Sequence, residues 1–180
     1  MRIGPADTER QVAIIAEIGN NHEGDLATAR DLVRAAAGAG AHAVKFQAIV
    51  PADLVGSEDA ARVAQLERLQ LTAAQFAELA ELAHSLGIGF VCTPFSLDAV
   101  GWLAPLVDAF KVASGDNDYV ALLERIGATG RPTIVSSGMT DLHGLRRAQR
   151  VLRDAGAGEV AVLHCVSAYP TAPEAARLAT

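Results

Sequence analysis

Short apolar runs and longer amphipathic stretches alternate along the chain without a break. Residues 12–19 form the first run, rich in β-branched side chains and ended by Gly19-Asn20-Asn21. A run of that length and type predicts a strand covered on both faces. Residues 25–39 then place Leu26, Ala29, Leu32, Val33 and Ala36 on one helical face, with Asp25 at the start and Gly38 and Gly40 at the end. Asp suits an N-cap or first turn, and glycine stops a helix. The alternation continues with strands at 43–50, 88–93, 110–114, 133–137 and 160–166. Helices are predicted at 73–85, 97–104, 120–128 and 142–155. The stretch 51–70 is the longest loop-like segment; it is charged and has room for a short helix.

Six strands separated by five helices imply βαβ units, hence an α/β fold with parallel strands and right-handed crossovers. No low-complexity linker divides the chain, so residues 1–180 read as a single domain. Two architectures fit, an open doubly wound sheet or a (β/α) barrel. A doubly wound nucleotide binder carries a glycine-rich phosphate fingerprint after its first strand. Here that strand ends in Glu17-Ile18-Gly19-Asn20-Asn21-His22, which is not that fingerprint. Polar side chains cluster instead at the C-terminal ends of the strands: Glu17, Lys45, Gln47, Thr93, Lys111, Ser114, Ser136, Ser137, His164 and Ser167, with Tyr169 just beyond. In a barrel those ends meet at one mouth, where catalytic groups gather.

Composition narrows the function. The chain is 51% hydrophobic and 20% charged, with a net charge of −6 and no basic patch, which argues against nucleic-acid binding. No apolar run approaches the ~20 residues of a membrane span. The first ten residues lack the basic start and apolar core of a secretion signal. Cys92 and Cys165 each lie in an apolar run and fit buried thiols, so a reducing, cytoplasmic location is expected.

Of 15 basic residues only two are lysines, Lys45 and Lys111, and both sit inside strand-like apolar runs. Desolvating an ammonium costs several kcal/mol unless it is paired. Two such lysines favour anion binding; the plainer reading pairs one of them with Glu17 for structure alone. A single Ser or Thr at a strand end is as often a satisfied turn residue. His84 and His143 fall on helices and are expected at the surface, and His42 is expected at the periphery. His22 could face the mouth, and His164 fits a core position as well as a ligand. No two histidines have a metal-ligand spacing, so the sequence shows no metal site.

At these residues the sequence resembles the N-acetylneuraminate (sialic acid) synthase family. The matching stretches are Ile15-Ala16-Glu17-Ile18-Gly19-Asn20-Asn21-His22-Glu23-Gly24, Val44-Lys45-Phe46-Gln47, Thr93-Pro94-Phe95, Phe110-Lys111-Val112-Ala113-Ser114-Gly115-Asp116, Ser136-Ser137-Gly138-Met139 and Leu163-His164-Cys165-Val166-Ser167-Ala168-Tyr169-Pro170. They come in family order from about residue 12 onward. The resemblance implies a TIM (β/α)8-type barrel, incomplete here, with the last part of the barrel and a small antifreeze-like domain absent. It implies condensation of phosphoenolpyruvate with N-acetylmannosamine or a related amino sugar, with release of phosphate. Glu17 matches an acid that manages proton transfer. Lys45, Gln47, Thr93, Lys111, Ser114 and Ser136 match phosphoenolpyruvate-holding residues, the two lysines being counted with Glu17 as catalytic. Ser167 and Tyr169 match a pair near sugar and phosphate. The family works as a homodimer with a divalent ion, Mn²⁺ or Mg²⁺, whose two histidine ligands follow the sixth strand and are not in this chain. His42 stands where the family commonly has Asp, and Arg177-Leu178 where it has Asn-Leu. Two alternatives remain beside an active synthase: a noncatalytic remnant, or a related sugar-acid synthase of the legionaminic or pseudaminic type.

Overall fold

The computed structural model describes residues 1–56 and 59–178. An antiparallel hairpin, β1 (Arg2–Ile3) and β2 (Ala6–Asp7), comes first. Six strands then lie in one sheet in chain order: β3 (Ile15–Gly19), β4 (Ala43–Ala48), β5 (Gly89–Pro94), β6 (Ala109–Val112), β7 (Thr133–Ser136) and β8 (Val160–Leu163). The pairs β3–β4, β4–β5, β5–β6 and β7–β8 are parallel. The helices are α1 (Leu26–Gly38), α2 (Pro51–Leu54), α3 (Ala60–Glu67), α4 (Ala73–Ser85), α5 (Leu97–Leu103), α6 (Val120–Gly127) and α7 (Leu142–Asp154). This is the element order of the first five βα units and the sixth strand of a (β/α)8 barrel.

The differences from the sequence reading have local causes. The first strand starts at Ile15, three residues late, because Val12 and Ile14 are solvent-exposed. The stretch 51–70 holds two helices, so the described residues contain seven helices instead of five. In the fourth predicted strand the chain leaves β6 after Val112, and Ser114–Asp116 forms a turn of 3₁₀ helix. The polar first ten residues contain the hairpin, whose Met1, Ile3 and Ala6 are buried.

The chain divides into two compact units, Met1–Phe110 and Lys111–Thr180. In the first, the strands bury Phe46 and Phe90, whose rings stack at 5.6 Å, with Phe76 of α4 edge-on to Phe46 at 6.3 Å. Helix α1 buries Ala29, Val33 and Ala36, the face its spacing predicts, and the Asp25 side chain caps it by accepting from Thr28 N at 2.7 Å. Helix α4 starts with a reciprocal cap: Gln75 N donates to Thr72 Oγ1, and Thr72 N donates to Gln75 Oε1. His42 clasps the strand starts, its Nδ1 accepting from Ile14 N and its own N–H donating to the Ile14 carbonyl.

In the second unit α6 buries Leu122, Leu123 and Ile126, α7 buries Ala148 and Leu152, and every residue of β7 is buried. The edge strand β8 is different: Val162 and Leu163 are exposed. An apolar edge with unpaired backbone groups is a template for another chain. The 180-residue chain is therefore expected to self-associate with rising concentration, and Leu163→Lys to move that association to several-fold higher concentration. Sedimentation analysis reads both, and equal association of the two proteins would refute the expectation.

Candidate functional site

In the first unit the pleat puts Lys45 and Gln47 on one face of β4, two residues apart, and Phe46 on the other. Lys45 lies opposite Glu17 of β3, and Gln47 opposite Thr93 of β5. The buried Lys45 ammonium meets the Glu17 carboxylate at 2.9 Å and the Thr93 hydroxyl at 3.4 Å. Glu17 itself is open to solvent, its side chain 59% exposed. Ion pair and access to solvent thus coexist in one carboxylate.

The register shifts just past this pair, between Glu17 and Gly19. Gly19 has φ +54°, in the left-handed region, and a Cβ there would sit 3.1 Å from Glu17 Oε1. Next to it Asn20 Nδ2 donates to Gln47 Oε1 at 2.7 Å. Cys92 points into the core; burial pushes its thiol up to about 12, which removes it as a nucleophile at neutral pH.

The second unit builds a similar group. Buried Lys111 donates to Ser136 Oγ at 2.5 Å and to the Val112 carbonyl at 2.9 Å. The Cys165 thiol, half-buried and not the core thiol its apolar surroundings imply, lies 3.2 Å from the same hydroxyl. Asn117 holds the turn together by donating to the Ser114 and Ser136 carbonyls. Gly138 N donates to Ser114 Oγ, and a Cβ on Gly138 would lie 2.5 Å from Ser167 Oγ. Ser114, Ser136 and Ser167 are thus gathered about one backbone segment, as glycine permits. Tyr169 is fully exposed and touches none of these groups.

Asp116 is a residue the sequence reading passed over. Its Oδ2 is buried without a hydrogen-bond partner. Burial pushes its carboxyl above the usual range, the Lys111 charge opposing and Asp118 adding to the shift. The available signal was its position: a carboxylate in the turn immediately after the strand that carries Lys111.

The histidines separate cleanly. His22, a candidate for the mouth, is buried against Phe46 with ring centroids 5.9 Å apart. Phe46 points away from Lys45 and Gln47, so His22 belongs to the core. His164 is exposed, not in the core, and its Nε2 meets the Ala176 carbonyl at 2.7 Å. His84 is exposed and paired with Asp108, and His143 is exposed. Among the described residues no group of three or more His, Cys, Asp or Glu could hold a metal ion. No helix among them is long and apolar enough to cross a membrane.

Residues 32–180 match the NeuB family. The chain belongs to that family. It is 41% identical over 159 residues to an uncharacterized protein of Methanocaldococcus jannaschii, covering 88% of this chain and 47% of that one. It is 34% identical to the N,N'-diacetyllegionaminic acid synthase of Legionella pneumophila, covering 93% of this chain and 52% of that protein. The chain therefore spans about half the length of these curated relatives. The crystal structure of the N-acetylneuraminic acid synthetase of Leptospira borgpetersenii, a citrate complex, superimposes with a TM-score of 0.87. It is 32% identical, over 93% of this chain and 58% of that one.

The buried His22 gives the NeuB-family chain a pH signature. Its Nδ1 accepts from Gly24 N, which fixes the neutral ring with the proton on Nε2. Burial holds its pKa below the ordinary value, the Asp25 charge only partly opposing. The unfolded chain then binds a proton that the folded chain refuses, so His22 leaves stability whole above about pH 6.5 and erodes it as pH falls toward the folded pKa. Melting curves from pH 7.5 to 5 should fall more steeply for the natural chain than for His22→Gln. Parallel curves would contradict the assignment.

Proposed function

We propose that this chain carries phosphoenolpyruvate-binding residues of a NeuB-type synthase. The reaction condenses phosphoenolpyruvate with N-acetylmannosamine or a related N-acetylated amino sugar and releases phosphate. The observation that carries the reading is the pair of buried lysines, each with a hydroxyl on its ammonium: Thr93 for Lys45 and Ser136 for Lys111. Phosphoenolpyruvate is small and strongly anionic, with a carboxylate and a phosphate as its handles. Ammonium and hydroxyl donors held out of water bind such groups most strongly as charge moves onto them.

In this reaction C3 of phosphoenolpyruvate forms a bond to the aldehyde carbon of the sugar, whose oxygen takes up a proton. Water adds at C2, and the C2–O bond to phosphate breaks. Lys45 and Lys111 offset the negative charge, with Thr93, Gln47, Ser114 and Ser136 as neutral partners. In this reading Glu17 carries out proton transfer, which its exposure to solvent and its ion pair with Lys45 support. Asp116, whose carboxyl burial pushes above the usual range against the opposing Lys111 charge, is a second candidate. The described residues do not form the divalent-ion site that the family resemblance implies, and no step here runs through a metal. A homodimer in the cytoplasm completes the reading.

Two measurements test it. Lys45→Met and Lys111→Met should each weaken phosphoenolpyruvate binding by roughly 2–5 kcal/mol, the range for removing one partner of a desolvated pair. Melting temperature should stay equal or rise, since methionine fills similar volume without an ammonium to desolvate. Unchanged calorimetric affinity with a lowered melting temperature in both would mean that the lysines hold only the fold. Separately, phosphate release from phosphoenolpyruvate and N-acetylmannosamine with Mn²⁺ present should stay well below the ~1 s⁻¹ at the low end of ordinary enzymes. Faster turnover would show that the groups named here suffice for the condensation.

A further inference from the structure

Gln47 shares its strand face with Lys45, and its side-chain oxygen is already taken. Asn20, in the turn after β3, donates from Nδ2 to Gln47 Oε1 at 2.7 Å. Among the described residues the Gln47 amide nitrogen has no hydrogen-bond partner, so both of its N–H groups are available. Asn20 Oδ1 is buried and also unpartnered. A side-chain amide can present either its oxygen or its nitrogen, and the bond it makes on one side decides what it offers on the other. Had the pair been reversed, with Gln47 donating to Asn20, Gln47 would turn lone pairs toward the face that carries Lys45. Either arrangement leaves one buried Asn20 atom unpaired, so the pair alone has little reason to prefer one.

We infer that Asn20 is a positioning residue: it fixes the Gln47 amide so that N–H donors, and not a carbonyl, face an anionic ligand held by Lys45. The inference rests on the phosphoenolpyruvate reading for the identity of the ligand, and the bound anion supplies the preference that the amide pair lacks. Asn20 carries one buried unpaired atom in either arrangement, so what the 2.7 Å bond selects is the pair of N–H donors that Gln47 turns outward.

Substitutions that change only the donor pattern test it. Asn20→Asp has no donor, so Gln47 must donate to it and turn its oxygen toward the ligand. Asn20→Ala leaves Gln47 free to rotate. In calorimetric titrations of the full chain with phosphoenolpyruvate, affinity should fall in the order natural chain, Asn20→Ala, Asn20→Asp, the last by about tenfold. In a Gln47→Ala background Asn20→Asp should cause no further loss. A role in stability alone would lower melting temperature without this order, and equal affinities would overturn the inference. Proton exchange of the side-chain amides, read by NMR, gives a ligand-free check. In the natural chain the Asn20 amide should be protected and the Gln47 amide should exchange freely; in Asn20→Asp the Gln47 amide should become protected. If the natural chain and Lys45→Met bind phosphoenolpyruvate equally or not at all, the functional reading fails. The setting of Gln47 by Asn20 is then decided by the amide exchange, and a protected Gln47 amide in the natural chain would refute it.

Discussion

Keeping an ammonium out of water is the constraint around which the first unit is arranged. Lys45 lies on a strand with neighbours on both sides, where leaving a charge unpaired costs more than most single contacts return. The answer is a carboxylate from β3 on one side and a hydroxyl from β5 on the other, brought opposite by register. The strands must hold that register to within a residue, because a one-residue slip would send Lys45 into the aromatic layer of Phe46, Phe76 and Phe90. The charged face and the aromatic face therefore enforce each other. In the second unit Lys111 poses the same problem, and it is met by neutral oxygens of Ser136 and Val112, with the Asp116 charge acting on the lysine as well.

The alternation of strands and helices was legible because a covered parallel strand and an amphipathic helix leave different periods in the chain. The face of α1 and the span of α4 follow from that pattern alone. Boundaries were less legible where burial depends on partners distant in sequence. Val12 and Ile14 are as apolar as Ile15 and Ile18, yet they extend past the end of the ladder. The hairpin at the start escaped for the opposite reason: its strands are two residues long, too short for any period to show.

The site was legible in its lysines because lysine is scarce here and its burial is expensive. It was illegible in Asp116 and Asn20, whose importance lies in which atom is left without a partner. Residue type does not encode that. His22 illustrates the same limit from the other side: adjacent to a site motif in sequence, it points into the aromatic layer because the turn at Asn20 and Asn21 carries it across the edge of the sheet. Family resemblance supplied roles for Ser167 and Tyr169 that spacing alone could not. In the structure Ser167 stands beside Gly138, while Tyr169 is wholly in solvent.

The bulge at Gly19 has a consequence for how this sequence can drift. The backbone there is in a conformation that disfavours side chains, and the space a side chain would enter is held by the Glu17 carboxylate. Every change of a glycine codon that alters the amino acid introduces a β-carbon. Any residue that replaces Gly19 brings that carbon to 3.1 Å from Glu17 Oε1, and the carboxylate paired with Lys45 has to give way by a few tenths of an ångström. Drift at Gly19 is thus coupled to the ion pair on the neighbouring strand: a replacement there has to be accommodated by the Glu17 side chain.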